Sequence, residues 1–306
     1  LPGAYTVFRV ELFKGKSHFG ENVTFDETLP TNYLADEVID DNKVNELLAK
    51  KYNETIVIAE DDSEILAYLK DELSTNFRVI AVNNGYDAVK AVMDDEVSLI
   101  LSDVLMPALN GFQLCSNIKS NIATCHIPIV LLTALSDDNQ RIYGIAEGAD
   151  EYIHKPFNMQ YVRLKIIRII EERKRLASTF AQKFGRLTRH EAANLPCVDD
   201  VFRDKLFNLI EAQHSDSNFK IELMSDMLGM SRILLYRKIT SIFGMSPSDL
   251  LRNFRLQKAV QLLTDQRRNV SEVAYTVGFS SPAYFAKCFK SVYNMTPTEY
   301  MYRTRE

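Results

Sequence analysis

Leu99-Ile-Leu-Ser-Asp103-Val-Leu-Met-Pro107 is an apolar run that stops at a carboxylate, meets a proline, and is followed closely by Asn110-Gly111. Four to eight apolar residues bounded by turn formers read as a buried strand of a parallel sheet. Open α/β sheets bind their ligands outside the carboxyl ends of such strands. Asp103 therefore stands where chemistry is usually done; the plainer alternative is an acid that caps a loop.

The flanking sequence repeats the pattern. Apolar runs at 55–59, 78–82, 98–102, 127–132 and 151–154 predict strands. Amphipathic stretches at 64–74, 85–93, 111–119, 137–147 and from 159 onward predict helices. Five β/α repeats with short connections specify an α/β doubly wound, five-stranded parallel sheet over 54–175.

All carboxyl ends of parallel strands lie along one edge, so the strand-end residues should meet. The first strand ends in Glu60-Asp61-Asp62, the third in Asp103, the fourth in Thr133-Ala134, and the fifth leads to Lys155-Pro156. Crowded carboxylates repel one another unless a hard cation neutralises them, and Mg2+ prefers oxygen ligands. A carboxylate beside such an ion can attack a phosphoryl group. Lysine and threonine can then hold the phosphoryl oxygens.

Glu60-Asp61-Asp62, Asp103-Val-Leu-Met-Pro107 with Asn110-Gly111, Thr133-Ala134 and Lys155-Pro156-Phe157 together resemble the receiver domain of two-component response regulators. The resemblance spans 54–175 and implies a flavodoxin-like fold. It implies Asp103 as phosphoacceptor, with Thr133 and Lys155 against the phosphoryl group. Mg2+ would be held by Glu60, Asp61, Asp103 and the backbone carbonyl of Leu105. Tyr152 falls at the family's switch-aromatic position, or is a plain core aromatic.

Charge is divided along the chain. Residues 1–161 hold 12 Lys+Arg against 26 Asp+Glu, and residues 162–306 hold 24 against 15. An acidic front suits a cation site and a basic back suits a polyanion. No stretch approaches the ~20 apolar residues of a membrane span. The four cysteines form no C-x-x-C pair and the five histidines no H-x-x-x-H pair, which argues against zinc or a disulfide framework and for a reducing cytosol.

The chain begins at Leu1, which suggests a piece of a longer protein. Residues 6–12 alternate in period two, as in a strand. Gly3-x-x-Thr6-x-Phe8-x-Val10-x-Leu12 resembles the last strand of the ATP-binding domain of sensor histidine kinases. Residues 1–20 would then be its remnant, without the nucleotide-binding boxes, so no kinase activity is expected here. Residues 21–53 have linker composition, with a short helix at 44–48. Residues 176–198 read as a second linker.

From 199 to 306 strand patterns give way to helical ones, with an amphipathic stretch at 200–212. An internal repeat appears: Leu228-Gly-Met-Ser231 echoes Val277-Gly-Phe-Ser280, and Phe243-Gly-Met-Ser-Pro247 echoes Tyr293-Asn-Met-Thr-Pro297. Helix, glycine turn, helix is the plan of helix-turn-helix. In the first copy Leu235, Ile239 and Ile242 point inward, leaving Ser231, Arg232, Ile233, Tyr236, Arg237 and Thr240 for a reading face. In the second, Phe285, Phe289 and Val292 point inward, leaving Ser281, Ala283, Tyr284, Lys287 and Lys290. A cationic outward helix face can enter a major groove, where Arg pairs with guanine; a solvated charged face is the commoner alternative. Residues 199–306 resemble the all-α DNA-binding domain of AraC-family activators, in Met230-Ser-Arg-Ile-Leu-Leu-Tyr-Arg-Lys-Ile239 and Ala274-Tyr-Thr-Val-Gly-Phe-Ser-Ser-Pro-Ala-Tyr-Phe-Ala-Lys-Cys-Phe-Lys290. That implies two helix-turn-helix units joined by a long helix at 247–264, with reading helices one turn of duplex apart.

The whole resembles the C-terminal part of a Bacteroides-type hybrid two-component system. It implies a phosphorylation-regulated transcription regulator, not an enzyme, that takes a phosphoryl group from a histidine kinase and binds promoter DNA as a homodimer. The expected compartment is the cytoplasm, with room for an inner-membrane anchor in the longer protein. One rival is a phosphorylation-independent DNA-binding scaffold. The other is a Mg-dependent aspartyl phosphatase, which needs a second Asp two residues after the nucleophile, where Leu105 stands.

Overall fold

The computed structural model describes residues 41–134, 148–184, 199–264 and 268–303. The strand expected at 6–12 and the helix expected at 137–147 lie outside the described residues. The chain divides after Lys43, and residues 44–306 form the unit that carries both domains.

The strands β1 (Thr55–Ala59), β2 (Arg78–Val82), β3 (Leu99–Asp103), β4 (Ile129–Thr133) and β5 (Glu151–His154) pair in parallel. Their order is β2-β1-β3-β4-β5. Register sets Ile58 beside Leu101 and Leu101 beside Val130. Because side chains alternate along a strand, one sheet face presents Ile56, Ile58, Leu99, Leu101, Val130 and Leu132. It is covered by Leu69 and Leu73 of α2 (Ser63–Ser74) and by Val162, Ile166 and Ile170 of α5 (Met159–Phe184). The other face presents Val57, Ala59, Ile100, Ile129 and Leu131 to α3 (Gly85–Asp94) and α4 (Gly111–Ser120). Leu47 and Leu48 of α1 (Asp41–Ala49) pack against the first core. Burial on both faces explains why the strands read as unbroken apolar runs.

Two glycines fix where α3 and α4 begin. A Cβ on Gly111 would lie 2.3 Å from the Asp103 carbonyl oxygen, and one on Gly85 would lie 2.5 Å from that of Leu109. The loop after Asp103 is therefore clamped against the first turns of both helices. Asn110 caps α4 in a reciprocal capping box with Gln113.

The linker expected at 176–198 is corrected by the structure at its start. The α5 helix continues to Phe184, 26 residues in all, or about 39 Å at 1.5 Å per residue. Its first half serves the sheet, while Phe180 and Phe184 enter the core of the next domain. Phe180 stacks on Phe184 and Phe207, with ring centroids 5.1 and 6.2 Å apart.

That domain is helical throughout its described residues: α6 (Asp200–Gln213), α7 (Ile221–Met227), α8 (Arg232–Phe243), α9 (Pro247–Thr264), α10 (Val270–Thr276), α11 (Pro282–Tyr293) and α12 (Pro297–Arg303). The duplication is visible in the caps. Ser231 and Ser281 cap α8 and α11 through their hydroxyls. Gly244 and Asn294 end them in the left-handed region, at φ 65° and 58°. Leu250, Leu251 and Phe254 of α9 belong to the first unit's core, and Leu256, Ala259 and Leu263 to the second's. One helix thus serves as a wall of both units.

Candidate functional site

The strand-end residues do meet. Glu60 is 1% exposed and Asp103 8%, while Asp61 is open to solvent. Ligand oxygens of these three carboxylates lie within 4.8 Å of one another. Lys155 Nζ donates to Glu60 Oε2 at 2.8 Å and to Asp103 Oδ2 at 2.9 Å. Thr133 is buried at the end of β4, and its carbonyl accepts from the Lys155 amide at 2.7 Å. Leu105 is exposed, and its amide approaches Asp103 Oδ1 at 3.4 Å. Tyr152 packs against the α3/α4 side of the sheet, one register place below Ile153. Asp62 turns away: its Oδ1 accepts from the amides of Glu64 and Ile65 and caps α2.

Burial pushes the Glu60 carboxyl up; the Lys155 hydrogen bond opposes this and the Asp103 charge adds to it. For Lys155, burial works against the ammonium, yet its bonds to Glu60 and Asp103 outweigh burial and raise its pKa. Three carboxylates against one ammonium leave two negative charges when all are ionised. A hard divalent cation matches that oxygen-rich set, and the residues present fit Mg2+.

On the helical domain, the residues expected to form the first reading face are split. Arg232 is exposed and pairs with Glu222 at 3.1 Å. Ile233 and Tyr236 are 63% and 50% exposed. Arg237 and Thr240 face the sheet domain instead, and the Thr240 hydroxyl oxygen is buried there. In the second unit Ala283, Tyr284, Lys287 and Lys290 are exposed, and Ser281 is the cap.

A buried cluster lies between the domains, and none of its polar residues was singled out from the sequence. Lys238 of α8 is 0% exposed and pairs with Asp199 at 2.6 Å. Its ammonium also donates to the Ile122 carbonyl, lies 3.2 Å from Cys125 Sγ, and sits 4.5 Å from the Phe202 ring centroid. Ile122 and Cys125 come from the α4–β4 loop; Ala123 of that loop joins the helical domain's core. The apolar spacing of Ala177, Phe180 and Phe184 was the one available hint of this junction.

His126, on the same loop, is 7% exposed. Burial and the Lys238 and Arg173 charges pull its pKa from 6.5 to about 3. Between those values the unfolded chain binds a proton that the folded chain refuses, so stability rises with pH across that window. His126→Asn should flatten the dependence by up to about 1.4 kcal/mol per pH unit, as read by urea unfolding at pH 5 and 7. An unchanged slope would place the ring elsewhere.

A family model described as the response regulator receiver domain matches residues 56–167, and one described as a helix-turn-helix domain matches residues 224–303. Histidine kinase P4 of Formosa agariphila is 35% identical over 98% of this chain and 22% of its own length. Transcriptional regulatory protein GltR of Pseudomonas aeruginosa is 38% identical over 37% of this chain and 47% of its own. The chain thus spans less than half of either relative. A signal receiver domain of a histidine kinase from Syntrophus aciditrophicus is 34% identical over 40% of this chain and 93% of that one, with a TM-score of 0.38.

Proposed function

Since residues 56–167 are a response regulator receiver domain and residues 224–303 an AraC-type helix-turn-helix domain, we propose that this two-component transcription regulator takes a phosphoryl group on Asp103 and answers by changing its hold on DNA. The supporting observation is the pocket itself, with Lys155 2.9 Å from Asp103 Oδ2, the buried Glu60 beside them and Asp61 at the solvent side. An Asp103 oxygen attacks phosphorus in line. The phosphorus–nitrogen bond of a phosphohistidine breaks, and the donor nitrogen leaves with the electron pair. Lys155 then moves its ammonium from pairing two carboxylates to holding a phosphoryl oxygen, and the Thr133 hydroxyl donates to another. Mg2+, held by Glu60, Asp61, Asp103 and the Leu105 carbonyl, would supply positive charge to the remaining oxygens. Tyr152, on the strand between Thr133 and Lys155, is the side chain through which the pocket's state is passed on.

On the DNA side, α8 and α11 enter successive major grooves. Arg232, Ile233, Tyr236 and Arg237 read the first, with Ser231 and Thr240 at its flanks. Ser281, Tyr284, Lys287 and Lys290 bind largely backbone in the second, since Ala283 offers no hydrogen bond. The donor is a histidine kinase, in the same longer chain or another; the active form is a homodimer on promoter DNA in the cytoplasm. The likeness of 98% of the chain to a protein named as a histidine kinase supports the first of these.

The test is twofold. With Mg2+ and acetyl phosphate the intact mass should rise by one phosphoryl group. DNA affinity should also fall steeply with salt, by about 0.9 log units of K per log unit of salt for each phosphate contact. No mass gain would leave the phosphorylation-independent scaffold, and a flat salt response would remove the groove-docking model.

A further inference from the structure

Arg237 sits on the reading face, yet its guanidinium is spent on the receiver domain. Its Nη1 donates to the carbonyls of Asp95 at 2.9 Å and Met93 at 3.2 Å, and its Nη2 to that of Asp94 at 2.8 Å. These carbonyls belong to the end of α3, where helix carbonyls lack internal partners and the dipole is negative. Guanine offers an arginine two acceptors in the major groove; the end of α3 offers three. The turn is also acidic, running Asp94-Asp95-Glu96. Glu96 lines one cleft of about 530 Å3 with Arg232, Ile233, Tyr236 and Arg237. Acceptors and negative charge therefore stand where a duplex would present its own.

We propose that the turn at 93–96 is an internal stand-in for DNA, docked on α8, and that it competes with a duplex for Arg237. The proposal rests on the reading of α8 as a DNA-contacting helix. The buried Lys238–Asp199 pair, one residue along α8, anchors the same docking through the Ile122 carbonyl. Both receiver segments that hold α8 follow helices whose first turns are clamped to the loop beside Asp103, through Gly85 on Leu109 and Gly111 on Asp103. Each of α3 and α4 spans ten residues, rigid enough to carry a shift of that loop to the opposite edge of the sheet. Release at that edge frees Arg237.

The test uses the whole chain, a labelled pool of random duplexes of about 30 bp, which span two major-groove turns, and Ala123→Asp without phosphoryl donor. Ala123 is 6% exposed, inside the helical domain's core, and belongs to neither the pocket nor the reading face. A carboxylate there is buried only while the domains are docked, so it opposes docking. Its negative charge can only weaken DNA binding directly, so any gain reports release. The variant should bind the pool at least about tenfold tighter than the unaltered chain, a shift of ~1.4 kcal/mol.

A second reading needs no variant. Cys125 Sγ is enclosed between Asp199 at 3.0 Å and Lys238 at 3.2 Å. Saturating DNA should speed its alkylation severalfold, located by peptide mapping. Equal DNA affinities for a folded variant and the unaltered chain, or an alkylation rate unmoved by bound DNA, overturn the proposal. Should neither protein bind the pool at low salt, the DNA-contacting role of α8 falls first and takes the stand-in with it. Should the variant fail to fold, the alkylation rate decides alone.

Discussion

Asp103→Asn is expected to take up no phosphoryl group from acetyl phosphate and Mg2+, with the mass adduct of the unaltered chain lost entirely. An amide keeps the side chain's shape but removes the nucleophile, so the loss separates chemistry from folding. Lys155→Met should be slower by about 100- to 1000-fold, the usual cost of deleting one donor to a charged transferring group. It carries a second signature. In the unaltered protein Lys155 spans Glu60 at 2.8 Å and Asp103 at 2.9 Å. Without it two buried carboxylates face each other, and Glu60, already pushed up by burial, loses the hydrogen bond that opposes that rise, so the site gains more from an arriving cation. Mg2+ should therefore raise the Tm of Lys155→Met more than that of the unaltered chain, since a ligand that binds only the folded state stabilises it by mass action. Equal Tm shifts would detach Lys155 from the cation's neighbourhood. An adduct surviving on Asp103→Asn would move the acceptor to another residue.

Lys238→Met should be the most damaging substitution in the helical domain. The ammonium it removes is 0% exposed and is the partner of Asp199, whose side chain is itself 11% exposed. Breaking one half of a buried pair leaves the other without its counter-charge and costs about 3–5 kcal/mol. Methionine nearly matches lysine in volume, so little of the loss should come from a cavity. Adding Asp199→Asn should recover much of it, because Asn keeps the cap on the Phe202 amide, 2.9 Å away, without a charge. Urea unfolding of the single and double variants checks this; a single-variant loss below about 1 kcal/mol would mark the pair as a solvated surface contact. The pH dependence follows from Asp199. Burial alone would raise its carboxyl, but the bonds from Cys125, Lys238 and the Phe202 amide outweigh burial and hold its pKa down. The pair's contribution is present above the usual aspartate range and is lost as pH falls through the lowered value.

The receiver pocket was legible because its chemistry is local to strand ends. Apolar runs predict parallel strands, parallel strands share an edge, and whatever ends them converges there. Glu60, Asp61, Asp103 and Lys155 therefore needed only sequence order to be brought together. The repeat at an offset of about fifty residues did the same for the helical domain, down to the caps at Ser231 and Ser281. The reading face was harder. Helical periodicity separates inward from outward positions but does not say what stands outside. Arg237 and Thr240 fall on the outward side of α8, and a second domain, not solvent, meets them.

What the sequence alone determined, then, is each domain taken singly: the sheet, its acidic edge, the duplicated helix-turn-helix, and the long α9 that joins the two units. Only the tertiary structure decided how those domains share residues. It ran α5 into the start of the expected linker as far as Phe184, buried Lys238 against Asp199, and set Arg237 on the carbonyls at the end of α3. The physical reason is range. Patterns of period two or 3.6 record which side of one element is apolar, whereas a carbonyl at residue 94 capturing an arginine at 237 leaves no mark on the local composition of either.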